Sequence, residues 1–168
     1  MLNLLRCLLL LLVLPACTKE SPSPAAPAGQ SAVPSSMRLD SAPPAAVSVV
    51  DARSAADGAE VVVAGRVRDF VEARAVFTIA DMSLKSCLDP EDPSEGCPTP
   101  WDYCCVDRKA LKEGTATIEV LDGDKPALGS AKGWNGLDHL KEVVVRGKLR
   151  KDGDGNLSVL ATGVYVKP

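Results

Sequence analysis

The sequence predicts a mainly β domain of five strands, with one short helix between the third and fourth strands and one long insertion. Five runs of residues alternate apolar and polar side chains, the pattern of strands with one buried face. A helical pattern lies between the third and fourth runs, and a cysteine-rich stretch at residues 82–114 separates the second run from the third. The predicted order is therefore strand, strand, insertion, strand, helix, strand, strand.

A short helix and the first strand open the folded part. Ser48 and Asp51 have the spacing of a capping box, in which two side chains bind open backbone amides at the start of a helix. The pair Asp57-Gly58 is a turn signal that ends this helix. From Glu60 the residues alternate, and one face of the predicted strand holds Val61, Val63, Gly65 and Val67. The opposite face holds Val62, Ala64, Arg66 and Arg68.

The second and third strands follow the same rule of alternation. Residues 74–81 place Ala75, Phe77 and Ile79 on one face, after a connection short enough for a hairpin. Residues 115–121 place Ile118 and Val120 on one side. Both runs therefore predict strands with one face toward the core.

The last two strands form a predicted hairpin. Residues 143–150 and 157–166 alternate on either side of a loop rich in Asp and Gly at residues 152–156. Before them, Asn135 can cap a short helix in which Leu137 and Leu140 share a face. These patterns complete the β-β-β-α-β-β order.

This order of elements resembles the OB-fold, a small five-stranded Greek-key barrel, here over residues 47–168. Gly65 and Gly147 strengthen the resemblance, since barrel strands need glycine where they coil sharply. The resemblance implies a barrel with its helix between strands three and four and a binding face on strands two and three.

The N-terminus reads as an export signal. Residues 1–16 combine Arg6 with a leucine-rich apolar run that is too short to span a bilayer. The run ends at Leu14-Pro15-Ala16-Cys17, which resembles the lipobox of bacterial lipoproteins. That resemblance implies cleavage before Cys17, lipidation of its sulfur and a permanent membrane anchor. Thr18 resembles the residue found at this position in lipoproteins forwarded to the outer membrane, so we expect the protein to be anchored there, facing the periplasm. The alternative is an ordinary secretory signal without lipidation.

Residues 17–46 are predicted to be the lipidated cysteine followed by a linker. Pro, Ala and Ser dominate this stretch, and such a composition cannot form a core. Removing Arg6 with the signal leaves 18 basic against 22 acidic residues, a mild negative charge that attracts no nucleic acid. One His and six aromatic residues in the chain argue against a haem protein, a His-rich metal centre and a Ser-His-Asp hydrolase.

The insertion at residues 82–114 is the most specific part of the sequence, because it holds Cys87, Cys97, Cys104 and Cys105. Thiols outside the cytoplasm are normally oxidised, so we expect two disulfides. Adjacent cysteines joined to each other would be strained. Each of Cys104 and Cys105 should therefore pair with one of the other two, although the sequence does not choose between the pairings. The alternative is a thiolate site for Zn²⁺ or Cu(I), although the spacing lacks the C-x₂₋₄-C knuckle.

Trp101, Asp102 and Tyr103 lie between prolines and the cysteine pair. They are candidates either for a small core under the insertion or for a contact surface, because Trp and Tyr offer much contact area at low entropy cost. Arg66 and Arg68 are further candidates for partner binding. They belong to a possible basic stripe, which is completed by Arg146, Lys148, Arg150 and Lys151. Single-strand binding also needs exposed aromatics, and Phe77 points inward, so we expect no nucleic acid.

The sequence therefore predicts a non-enzymatic, lipid-anchored module of the cell envelope. It would bind a partner, an envelope protein or a glycan, through the barrel face and a disulfide-stapled loop. No paired acids, activated nucleophile or phosphate loop is present in the sequence, so we expect neither catalysis nor a cofactor. The first alternative is a metal- or thiol-handling envelope protein that uses the four cysteines. The second is an OB domain that binds oligonucleotides or oligosaccharides.

Overall fold

A computed structural model describes residues 33–89, 97–99 and 101–168. Five strands close into one barrel in the order β1, β2, β3, β7, β6 and back to β1. Neighbouring strands run antiparallel except for β3 and β7, which run parallel. The barrel strands are β1 (Glu60–Phe70), β2 (Val76–Ala80), β3 (Thr115–Glu119), β6 (Glu142–Lys151) and β7 (Leu157–Val166). A separate hairpin pairs β4 (Leu121–Asp122) with β5 (Lys125–Pro126). The prediction of a mainly β domain with a five-stranded barrel is confirmed.

The barrel interior is filled by the apolar face of each alternating strand. In β1 the residues at positions 63, 65 and 67 are buried, while their neighbours are partly exposed. The same alternation runs along β3 and β6. Fully buried side chains from all five strands meet in this core, namely Val63, Val67, Phe77, Ile79, Ile118, Val145, Leu149 and Val159. Hydrophobic burial on this scale is the main force that favours the folded chain.

Two glycines sit where neighbouring backbones approach too closely for a side chain. A Cβ atom on Gly65 would lie 2.8 Å from the carbonyl oxygen of Ala80 on β2. A Cβ atom on Gly147 would overlap the carbonyl oxygen of Leu160 on β7. The pairing of β6 with β7 shifts register between Arg146 and Gly147. Glycine is therefore needed at both positions for the strands to coil into a closed barrel.

The short helices differ in part from the prediction. Helix α1 (Val49–Ala52) is capped as expected, because the Ser48 hydroxyl accepts a hydrogen bond from the Asp51 amide at 3.0 Å. Helix α2 (Arg108–Glu113) lies inside the insertion, where the Asp107 carboxylate accepts from the amides of Lys109 and Ala110.

The helix expected to begin at Asn135 is not what the structure contains. The segment forms a single 3₁₀ turn, Trp134–Gly136, and Asn135 lies inside it with a left-handed φ of 48°. Leu140 also has a positive φ of 62° and donates its amide to the Val67 carbonyl. Leu137 is fully buried. The apolar spacing that suggested a helix thus reflects a turn that fixes Leu137 in the core.

Part of the predicted linker packs on the barrel. Residues 33–46 are described, and within them Val33 is buried in the core. Leu39 donates its amide to the Val164 carbonyl at 3.0 Å, and its side chain lies over Gly163. The folded unit therefore includes residues that precede Val47. The predicted signal at residues 1–16, Cys17 and the linker up to residue 32 lie outside the described residues. Within the described part of the chain, no helix is long and apolar enough to cross a membrane.

Asp81 ties helix α1 to the end of β2. The side chain of this buried residue accepts hydrogen bonds from the Val50 amide at 3.0 Å and from the Ser83 amide and hydroxyl. Burial alone would raise the pKa of Asp81, but these hydrogen bonds outweigh it, and the pKa is lowered. The ionised carboxylate therefore stabilises the native state above the ordinary Asp pKa, and that contribution is lost as the pH falls toward the lower native value.

Asp81→Asn is expected to lower the free energy of unfolding by about 1–3 kcal/mol at neutral pH, because the side-chain nitrogen of Asn cannot accept the bonds made by one of the two carboxylate oxygens. The difference from wild type should shrink as the pH falls below the ordinary Asp pKa, because the wild-type carboxylate then becomes protonated as well. Urea unfolding from neutral pH to below the ordinary Asp pKa measures the difference in the free energy of unfolding between this variant and wild type. Asp124→Asn, at an exposed position in the β4–β5 turn, is the control and should behave like wild type. A difference that does not change with pH would contradict this account of Asp81.

Candidate functional site

The cysteine loop, residues 82–114, connects β2 to β3 and is closed at two levels by backbone hydrogen bonds. At its base, the Asp81 amide donates to the Gly114 carbonyl at 2.7 Å. Further out, the Cys87 amide donates to the Asp102 carbonyl at 2.8 Å. This second bond joins the two limbs of the loop. It brings Cys87 beside the Cys104-Cys105 pair, although they are far apart in sequence.

The four cysteine sulfurs converge around Cys104. The Sγ atom of Cys104 lies 3.2 Å from that of Cys87, 3.8 Å from that of Cys105 and 4.0 Å from that of Cys97. The sulfurs of Cys87, Cys104 and Cys105 all lie within 4.8 Å of one another, and Cys97 is outside this group of three. We call the three residues the thiol cluster.

The two predicted disulfides are not present. A bonded S–S pair is separated by about 2.05 Å, and all four described cysteines of the loop are free thiols in this structure. Cys104 is the near neighbour of the other three sulfurs. A Cys87–Cys104 bond would leave Cys105 to pair with Cys97, which lies outside the thiol cluster. A Cys97–Cys104 bond would leave Cys87 to pair with Cys105, and these two sulfurs lie within 4.8 Å of each other.

The sulfur separations suit a metal ion. Four thiolates around Zn²⁺ at about 2.3 Å would lie about 3.8 Å from one another, close to the separations observed around Cys104. Among the described residues, no other set of three His, Cys, Asp or Glu side chains brings its ligand atoms this close together. The donor set is therefore sulfur alone, and thiolates select soft ions such as Cu(I) and Zn²⁺ over hard ones.

The pKa values of two of the thiols shift in opposite directions. The hydrogen bond with Cys104, together with burial, raises the pKa of Cys87. Hydrogen bonds with the backbone and hydroxyl of Thr99 lower the pKa of Cys97.

The loop is fixed to the barrel by two ion pairs and one buried ring. The Arg66 guanidinium lies 2.7 Å from the Asp89 carboxylate, and that of Arg68 lies 3.8 Å from the Asp102 carboxylate. Tyr103 is fully buried, and its burial raises the pKa of its hydroxyl. Tyr103 therefore belongs to the packing under the loop and offers no exposed contact area. Arg66 and Arg68 are paired with loop carboxylates, so the basic stripe loses two of its members.

Asp89 is a site residue that the sequence analysis missed. Its carboxylate accepts hydrogen bonds from the Ser86 amide and hydroxyl as well as from Arg66. The Ser86 hydroxyl and then Arg66 lower the pKa of Asp89. The spacing of Ser86 and Asp89, three residues apart, is a local hydrogen-bonding pattern that could have identified this turn.

Trp101 remains at the surface of the cysteine loop. The residue is 38% exposed, and its ring stacks on His139 at a centroid distance of 5.2 Å. His139 in turn packs edge-on against Phe70 and bonds through Nδ1 to the Arg68 carbonyl. A small depression of about 170 Å³ is lined by Arg68, Asp69, Thr99, Trp101 and Asp102. The sequence analysis did not connect His139 with Trp101, and the partner-binding role of Trp101 and Asp102 stays a prediction.

No family model matches the chain, and no curated protein matches it.

Proposed function

We propose that this chain is a non-enzymatic binding module of the cell envelope, built on an OB-fold-like barrel, whose ligand is a thiophilic metal ion held by the cysteine loop. The strand order supports the OB-fold part of the proposal. The last two strands of the chain complete the barrel, with β7 beside β3 and β6 beside β1, which is a Greek-key arrangement.

The proposed location rests on the N-terminal residues. The apolar run followed by Leu14-Pro15-Ala16-Cys17 supports export, cleavage and lipidation at Cys17. We propose that the lipid holds the domain at the outer membrane, facing the periplasm. The stretch rich in Pro, Ala and Ser that follows Cys17 would separate the barrel from the lipid surface.

One observation carries the choice of ligand: Cys87 from one limb of the cysteine loop and the consecutive Cys104 and Cys105 from the other place their sulfurs within 4.8 Å of one another. Outside the cytoplasm, thiols this close together can be oxidised to disulfides, and they can also bind a soft ion. The three sulfurs of the thiol cluster are close enough to share one ion, and we therefore propose one common ligand. A metal ion would also cross-link the two limbs of the loop, so its binding energy would contribute to folding.

The geometry supports the other binding functions less well. Oligonucleotide binding needs free cationic side chains and exposed aromatic rings. Arg66 and Arg68 on β1 are engaged by Asp89 and Asp102 of the cysteine loop. Phe77 on β2 is buried. We therefore place the binding site of this module on the cysteine loop and not on the bare barrel.

The test uses the full chain with Cys7→Ser and Cys17→Ser, purified without oxygen in mild detergent, so that only the four loop cysteines remain. We expect one thiophilic metal ion per chain by elemental analysis. After the metal has been removed by a chelator and the chain unfolded, four thiols should react. A mass about 4 Da below that calculated, corresponding to two disulfides, with no reactive thiol and no metal, would contradict the proposal.

A further inference from the structure

The thiol cluster is a set of three sulfurs with a fourth beside it. Cys87, Cys104 and Cys105 form the mutually close group. Cys97 approaches Cys104 at 4.0 Å, but its sulfur is held by its own turn, 3.5 Å from the Thr99 carbonyl oxygen and 3.6 Å from the Thr99 hydroxyl. The loop therefore presents three thiols to one point in space, with Cys97 to one side.

Three sulfurs do not satisfy the coordination that structural zinc requires. Structural Zn²⁺ sites are tetrahedral with four protein ligands, and all six sulfur separations are then about 3.8 Å. The group of three meets that condition approximately, but Cys97 does not join it. Among the described residues, no His, Asp or Glu donor joins the group in its place. Cu(I), in contrast, is a soft ion that two or three thiolates satisfy fully.

The consecutive cysteines Cys104 and Cys105 also favour Cu(I) over Zn²⁺. Zinc sites commonly use a knuckle in which two cysteines are separated by two to four residues. In this chain Cys104 and Cys105 are consecutive, and their sulfurs lie 3.8 Å apart on an exposed turn. Cys87 completes the group from the opposite limb, where its amide is bonded to the Asp102 carbonyl. The site faces solvent on one side, so an ion can reach it without opening of the barrel.

We infer that the thiol cluster is a three-thiolate Cu(I) site formed by Cys87, Cys104 and Cys105, with Cys97 outside the coordination sphere. This inference rests on the proposed metal-binding function and specifies its ion and its ligands. Each ligand enters as a thiol and binds as a thiolate, so one Cu(I) displaces three protons and no electron is transferred.

The test is a competition for Cu(I) under anaerobic conditions. The full chain with Cys7→Ser and Cys17→Ser is titrated with the Cu(I) complex of bicinchoninate, and the experiment is repeated with a large excess of Zn²⁺ present. We expect one Cu(I) per chain and no displacement by Zn²⁺. Cys105→Ser should weaken Cu(I) binding roughly 100-fold or more, because it removes a ligand, whereas the matched variant Cys97→Ser should change it by about threefold or less.

Each other outcome overturns a defined part of the account. If Zn²⁺ displaces Cu(I), or if Cys97→Ser weakens binding as much as Cys105→Ser, the three-thiolate Cu(I) site is wrong, while the proposed function of metal binding by the cysteine loop stands. If neither ion binds although four thiols react, the proposed function fails as well. Circular dichroism of each metal-free variant checks that the barrel is intact, with Leu88→Ser, at an exposed position next to Cys87, as a control.

Discussion

Gly147→Ala is expected to destabilise the barrel by about 3 kcal/mol, at the upper end of the range for overpacked positions. An added Cβ would overlap the carbonyl oxygen of Leu160 and would lie 2.9 Å both from its carbonyl carbon and from Val159 Cγ1. These atoms belong to β7, which is paired with β6 along its length. The clash can be relieved only if the two strands separate at the register shift, where pairing hydrogen bonds would be lost.

Urea unfolding of the full chain measures this effect. Gly153→Ala is the matched control, because a Cβ at position 153 would have no heavy atom of the described residues within 4 Å. We expect the control to unfold at the wild-type urea concentration. If both variants unfold at the same concentration, the close approach of β6 and β7 at Gly147 is not as described.

Cys104→Ser is expected to abolish the stabilisation that the metal ion gives the protein. Cys104 is the sulfur nearest to the other three, so its loss removes the centre of the thiol cluster. A ligand that binds only the folded state stabilises it by about 2.7 kcal/mol at a concentration 100 times its Kd. The wild-type chain should gain about this much on addition of Cu(I), and Cys104→Ser should gain close to nothing.

Thermal unfolding without Cu(I) and with Cu(I) buffered at a free concentration about 100 times its Kd, under anaerobic conditions, measures the difference. Leu88→Ser alters the same exposed surface without removing a thiol and should retain the full gain. An equal gain in wild type and Cys104→Ser would mean that the ion binds elsewhere on the chain.

The barrel was predictable because its signal is local. Alternation in β1 and β6 separates a buried face from a partly exposed one, and the structure follows that alternation from Val63 in β1 and along β6 as far as Arg150. Gly65 and Gly147 marked the points where the strands approach closely. Such patterns depend on neighbours two residues away, so a single sequence contains them.

Other elements depended on contacts that the sequence does not display. Leu137 and Leu140 have helical spacing, but left-handed backbone at Asn135 and Leu140 turns the segment back onto β1. Val33 and Leu39 pack on the barrel although their surroundings have a linker's composition. Long-range contacts thus outweighed local composition in both segments.

The candidate site was only half predictable. The sequence identified the four cysteines and their insertion, but the intervals between them do not determine which sulfurs meet. The hydrogen bond from the Cys87 amide to the Asp102 carbonyl and the burial of Tyr103 beneath the loop bring Cys87 next to Cys104 and Cys105. Tyr103, a candidate for the contact surface, is buried in the structure, whereas Trp101 is exposed.

The central claim is that the cysteine loop binds a metal ion through sulfur alone. X-ray absorption at the metal edge, recorded on the anaerobic full chain with Cys7→Ser and Cys17→Ser after loading with Cu(I), tests it most directly. The account predicts a first coordination shell of three sulfur atoms. A shell that contains nitrogen or oxygen atoms, or a chain that retains no copper although its four thiols are reduced, would contradict it.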